Sequence, residues 1–164
     1  MGHSWTENDF DHLSWHDCHV WGMELRIGDP TENDWTSDVA FSIDYIVEWL
    51  CGVDRSVQFR VAPAKFIFHH VTDLALAVDW GRSGFQVAPA QMSISRITRE
   101  QVAEQQVQLN RAYYRWRMEF HDVTKGTIEL GAAGFTQTLL AEPVLSKRQH
   151  LTLRERDRLT GRCS

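Results

Sequence analysis

Apolar and polar side chains alternate through much of the chain, the period-two pattern of strands half-buried against a core. The pattern is clearest at Trp21, Met23, Leu25 and Ile27, which fall on one face. A strand is expected from about His16 to Ile27 with that face turned inward. Traced back to its beginning, the same face carries His19 and Asp17 in place of aliphatic residues. A histidine and a carboxylate at the end of a buried face form either a satisfied structural pair or a site. Gly28, Asp29 and Pro30 end the strand with turn-forming residues. A second strand is expected from Val39 to Trp49. Its core face would carry Val39, Phe41, Ile43, Tyr45, Val47 and Trp49, leaving Ser42, Asp44 and Glu48 toward water or a polar groove.

The middle of the chain echoes itself. Phe59 to Phe68, containing Ala62-Pro63-Ala64 and followed by Val71-Thr72, recurs 26 residues later as Phe85 to Ile94, containing Ala88-Pro89-Ala90 and followed by Ile97-Thr98. The tail of the unit, Phe68-His69-His70-Val71-Thr72, returns as Phe120-His121-Asp122-Val123-Thr124. Proline cannot donate to a sheet ladder, so each Ala-Pro-Ala is expected at a bend, bulge or edge. What lies between the echoes differs, which makes them local similarity and not duplication. Leu74, Leu76, Val78 and Trp80 alternate as a strand, whereas Thr98 to Leu109 reads as a helix with Thr98 as its cap and Gln101 at capping-box spacing. Tyr114, Trp116, Met118 and Phe120 make another strand. Two more follow, from Thr127 to Leu130 and from Phe135 to Leu140, and Ser146 to Leu153 reads as either a short strand or a helical turn.

Successive short strands without regular helices between them predict an α+β fold that is mainly antiparallel β. The expectation is one rolled sheet, or a sandwich or half-barrel, of about seven or eight strands with one helix. A chain of 164 residues suits a single domain, 1–164, with a polar lead (1–13) and a charged tail (154–164) at its periphery.

Composition narrows the function. The net charge of −5 argues against general nucleic-acid binding, and the basic run from Arg154 to Arg162 is diluted by Glu155 and Asp157. No apolar run has the length of a membrane helix and no signal-like segment opens the chain, so a cytoplasmic protein is expected. Cys18, Cys51 and Cys163 are odd in number and scattered, which fits a reducing compartment and neither a disulfide framework nor a zinc ribbon. Seven tryptophans are expected mainly in the core.

The candidate chemistry lies in the histidines. On one strand His16 and His19 point to opposite faces, so no metal site is assigned there, and no cofactor is implied. His69, His70 and His121 occupy equivalent points of the echo. Were those strands to end on one rim, these imidazoles would gather there with His19 and Asp17, an arrangement suited to general-base work. Asp44 and Glu48 would lie on the order of 13 Å apart along a strand, too far to cooperate as an acid pair. They are expected to meet arginines of neighbouring strands.

The combination Ser14-Trp15-His16-Asp17, Ile43-Asp44-Tyr45-Ile46-Val47-Glu48-Trp49, Val61-Ala62-Pro63-Ala64, Val71-Thr72-Asp73-Leu74 and Gly134-Phe135-Thr136-Gln137 resembles a family of uncharacterised bacterial proteins. The likeness covers roughly residues 10 to 150 and implies a bacterial cytosolic protein of unassigned activity. The layout is also similar, in architecture alone, to small immunity proteins that neutralise bacterial toxins. The resulting expectation is a non-catalytic binding or interaction module, with a protein as its partner, whose recognition surface holds Trp15, His16, Asp17, His19, His69, His70 and His121. The alternative is a small, metal-assisted enzyme using the His/Asp cluster. A flat apolar patch would favour a partner protein, and a concave pocket would favour small-molecule chemistry.

Overall fold

The alternating segments assemble into one antiparallel sheet of ten strands. The computed structural model describes residues 3–79, 92–103, 112–121 and 125–161. In chain order the strands are β1 (Ser4–Thr6), β2 (His19–Ile27), β3 (Ser37–Cys51), β4 (Val57–His69), β5 (Thr72–Asp79), β6 (Met92–Gln101), β7 (Tyr114–His121), β8 (Lys125–Ala132), β9 (Gly134–Leu139) and β10 (Val144–Ser146). They lie side by side as β1-β9-β4-β3-β2-β6-β7-β8-β5, with β10 paired to β4. One α-helix, α1 (Leu153–Thr160), follows the last strand. The α+β, mainly antiparallel class is the one expected.

Aromatic rings fill the centre. Trp15 stacks on Phe66 at 5.4 Å, and Trp116 meets Phe135 edge-on at 5.6 Å. Such large rings bury much apolar area per residue. Trp15 and Trp116 are buried, but Trp35 and Trp49 are exposed, so the tryptophans do not all serve the core. Trp80 lies outside the described residues.

Several expectations need correction, and two of them trace to β-bulges. The first strand starts at His19, because Asp17 has a left-handed φ of 62° inside a turn closed by Cys18 N–H donating to the Trp15 carbonyl at 3.0 Å. A register shift between Val20 and Gly22 then leaves Trp21 as an extra residue. Beyond it, Met23 and Leu25 oppose Phe41 and Val39 and so share their face, yet Met23, Leu25 and Ile27 are 39, 49 and 76 % exposed. Met23 borders an open apolar cleft of about 400 Å³ instead of a packed interior. A second shift, between Ile46 and Glu48, sets Val47 outward. Asp44, expected to face water or a polar groove, is fully buried.

The predicted helix from Thr98 is also overturned at its start, since Thr98 to Gln101 belong to β6, paired to β7. Residues 104–109 lie outside the described residues. Pro63 sits inside β4, at a local edge of the sheet. Its outer side is the gap where β4 changes partner from β10, opposite Val61, to β9, opposite Ala64, so no neighbouring strand asks it for a donor. Among the described residues of the polar lead and the charged tail, β1 pairs with β9, Phe10 and Leu159 pack on the core, and Arg156 of α1 is buried. Among the described residues no helix is long and apolar enough to cross a membrane.

Candidate functional site

Three elements meet at one end of β6 and enclose a cleft of about 680 Å³. The first is the turn before β2. Asp17 N–H donates to the Ile94 carbonyl at 2.8 Å, and Ile94 N–H donates back to Cys18 at 2.9 Å, which stitches the turn to β6. The second is the end of β7, where His121 lies opposite Ser93. The third is residues 147–150, between β10 and α1, whose side chains form the facing wall.

The left-handed conformation of Asp17 matters here, since it frees His16 and Asp17 from strand alternation and lets both project to one side. Asp17 is the hub. Its Oδ2 accepts from Gln149 Nε2 at 2.8 Å and lies 3.6 Å from His16 Nε2, while its Oδ1 lies 3.4 Å from His121 Nε2. The two imidazoles meet edge-on with centroids 5.3 Å apart.

A third bulge positions His16. The β6–β7 register shifts between Ile94 and Arg96, leaving Ser95 unpaired in that ladder, and the Ser95 carbonyl accepts a hydrogen bond from His16 Nδ1 at 3.0 Å. A carbonyl can only accept, so His16 Nδ1 carries a proton and the neutral ring turns the Nε2 lone pair toward Asp17. His121 Nε2 is shielded from solvent and has no hydrogen-bond partner among the described residues. The arrangement thus sets two imidazole nitrogens beside one carboxylate. It can share a proton or hold a cation: one ligand atom from each of His16, Asp17 and His121 lies within 4.8 Å of the other two.

The facing wall is fastened from below. Asp44 on β3 accepts Leu151 N–H and Trp21 Nε1–H at 2.8 Å each and pairs with Arg156 Nη1. Arg156 also donates to the Ile43 carbonyl at 3.0 Å. At the rim, Arg148 pairs with Glu155 at 2.9 Å. Phe59, opposite Ser146 on β10, adds an apolar wall.

Of the residues singled out from sequence, His16, Asp17 and His121 come together. Trp15 does not join them: it is 3 % exposed, and its Nε1 donates to Gln137 at 2.6 Å inside the core. His19 is buried below the cleft, beside Trp21 and 5.2 Å from the His150 ring, and burial, then the neighbouring His150, holds its pKa below the ordinary value. His69 belongs to a separate network, with Asp38 at 3.2 Å and Thr136 at 2.8 Å, and His70 is exposed with its N–H bound to Asp38. The shared histidine rim therefore does not form. Asp122 lies outside the described residues. Lys147, Arg148, Gln149 and His150 were missed, although the undecided stretch from Ser146 to Leu153 contains them. The chain matches no family model, no curated protein and no solved structure.

Proposed function

We propose that the chain is a non-catalytic binding domain that takes a small anionic ligand, bearing a carboxylate or phosphate, in the cleft between the Asp17 turn and residues 147–150. The observation that carries this reading is the make-up of the lining. Among the described residues, Lys147, Arg148 and the imidazoles of His16, His121 and His150 face a single carboxylate, Asp17, across a concave space of about 680 Å³. Concavity of that size suits a small molecule better than a protein surface, and the adjacent Lys147 and Arg148 cations suit an oxyanion. The Glu155 contact holds the Arg148 guanidinium in place before any ligand arrives, which lowers the ordering cost of binding. A bacterial, cytoplasmic setting belongs to the same reading and is supported by the free thiols of buried Cys18 and exposed Cys51.

The test is thermal unfolding in sodium phosphate and sodium succinate against sodium chloride of equal ionic strength. At least one of the two oxyanions raises the midpoint with concentration in the wild-type chain. The rise is lost in Lys147→Glu/Arg148→Glu. Equal midpoints in all three salts, or a rise that survives in the double variant, would overturn the proposal.

A further inference from the structure

We infer that His16, Asp17 and His121 bind one divalent first-row transition-metal ion at the floor of this cleft. The inference goes beyond the anion reading and does not need it, since the three ligands come from the protein alone.

Spacing is the first argument. Bonds of about 2.1 Å from one ion to two ligands place those ligands roughly 3–3.5 Å apart, for octahedral through tetrahedral angles. The carboxylate oxygens of Asp17 lie 3.6 Å from His16 Nε2 and 3.4 Å from His121 Nε2. Those two contacts are near bonding separation, and one ligand atom from each residue lies within 4.8 Å of the other two, so binding an ion draws the set inward.

Protonation and outer contacts are the second. The Ser95 carbonyl commits the His16 proton to Nδ1, so Nε2 offers a lone pair to the cluster. A donor bond from the far nitrogen to a carbonyl is the outer contact that orients metal-bound histidines. Gln149 does the same for Asp17, donating to Oδ2 at 2.8 Å. His121 Nε2 faces the same carboxylate, shielded from solvent and without a hydrogen bond among the described residues. A cation between these atoms satisfies the His16 lone pair, the unpartnered His121 nitrogen and the carboxylate at once.

Ligand type selects the ion. Two imidazoles with one carboxylate favour zinc, iron, cobalt or nickel over magnesium and calcium, which prefer oxygen-only sets. Three protein ligands leave at least one coordination position facing the cleft.

The test uses the full-length chain stripped of metal with a chelator and titrated with Zn²⁺ in a chloride buffer free of phosphate and carboxylates. One Zn²⁺ per chain is expected, not displaced by excess Mg²⁺. Affinity should fall in His121→Ala and in Asp17→Asn by more than the roughly 10–100-fold that loss of an outer contact costs. Asparagine tolerates the left-handed backbone at position 17, and near-ultraviolet circular dichroism verifies that each variant keeps its packing. Co²⁺ then serves as a spectroscopic probe and should give ligand-field bands without a thiolate charge-transfer band. Failure to take up Zn²⁺, unchanged affinity in both variants, or a thiolate band that assigns the ion to a cysteine would each overturn the site. Because no anion is present, these results are independent of the phosphate and succinate experiment.

Discussion

Replacing Arg156 with methionine should cost the fold about 3 kcal/mol, the low end of the range for breaking a buried ion pair. Arg156 is 9 % exposed and Asp44 fully buried. Methionine keeps much of the apolar stem but removes the guanidinium, which leaves an ionised carboxylate in the interior with its partner gone. Such a loss typically costs about 3–5 kcal/mol. Two donors to Asp44 survive, Trp21 Nε1 and Leu151 N–H, each at 2.8 Å. They continue to solvate the charge, at roughly 1 kcal/mol net per bond, and hold the loss near the bottom of that range. Urea unfolding reads it directly: with a slope of about 2 kcal/mol/M, the midpoint drops by about 1.5 M. Asp44→Asn/Arg156→Met removes both charges and should recover at least about 1 kcal/mol relative to Arg156→Met alone. The contrast is Arg60→Met, which breaks the exposed Glu48–Arg60 pair at 3.2 Å and should shift stability by no more than about 0.5 kcal/mol. If Arg156→Met costs less than about 1 kcal/mol, or the double variant is no better than the single, the buried pair does not clamp the C-terminal segment and the reasoning fails.

Two further outcomes follow from burial. His19 has its pKa held below the ordinary 6.5, chiefly by desolvation and then by His150, so it stays neutral in the fold where the unfolded chain accepts a proton. The unfolded state then binds more protons below about pH 6.5, and stability falls as pH drops from there toward the lowered folded value, by up to ~1.4 kcal/mol per pH unit. Urea midpoints between about pH 7.5 and about pH 5.5 should show that slope, and His19→Gln should flatten it by one proton's worth. Burial also pushes the Cys18 thiol up to about 12, whereas Cys51 is exposed. Iodoacetamide applied to the native protein at about pH 8 should therefore alkylate Cys51 and spare Cys18 in peptide mass spectra, with Cys18 reacting only after denaturation.

Alternation made the sheet legible, and bulges limited how far that reading reached. β3 and β4 are long, and their pairing from Val39 opposite Phe68 to Ile46 opposite Val61 runs without interruption, so the core-face positions Val39, Phe41, Ile43 and Tyr45 could be read correctly, although Asp44 on the other face is buried as well. At Trp21, Val47 and Ser95 one extra residue enters the ladder and the inside–outside sense changes beyond it. No residue type marks a bulge reliably, which is why Val47 and Trp49 read as core and are exposed. Capping-box spacing alone does not locate a helix start: Thr98 and Gln101 have it and lie in β6, whereas Thr152 and Glu155 form the box that opens α1, with Gly161 closing it at a φ of 69°. The interleaved charges from Arg154 to Arg158 made that stretch resemble a solvated tail, and the one arginine that turns inward, Arg156, is not distinguishable by type from its exposed neighbours.

The candidate site was legible in its residues and not in its logic. His16 and Asp17 drew attention as members of a strand, and on a strand adjacent side chains diverge, so His16 and Asp17 could not have shared a ligand. What brings them together is the turn: a left-handed Asp17 breaks the alternation at the one place where convergence is useful. The second histidine arrives through β7, and His16 gains a fixed tautomer from a carbonyl that the Ser95 bulge sets free. The facing wall depends on Asp44, the residue whose strand position most strongly suggested water. Buried beneath the cleft, it holds Leu151 from one side and Arg156 from the other, and so sets the path that delivers Gln149 to Asp17. Each of these steps joins residues more than 75 positions apart, a distance over which side-chain periodicity carries no information. A local pattern can therefore nominate His16 and Asp17, but only the assembled sheet decides that they face His121.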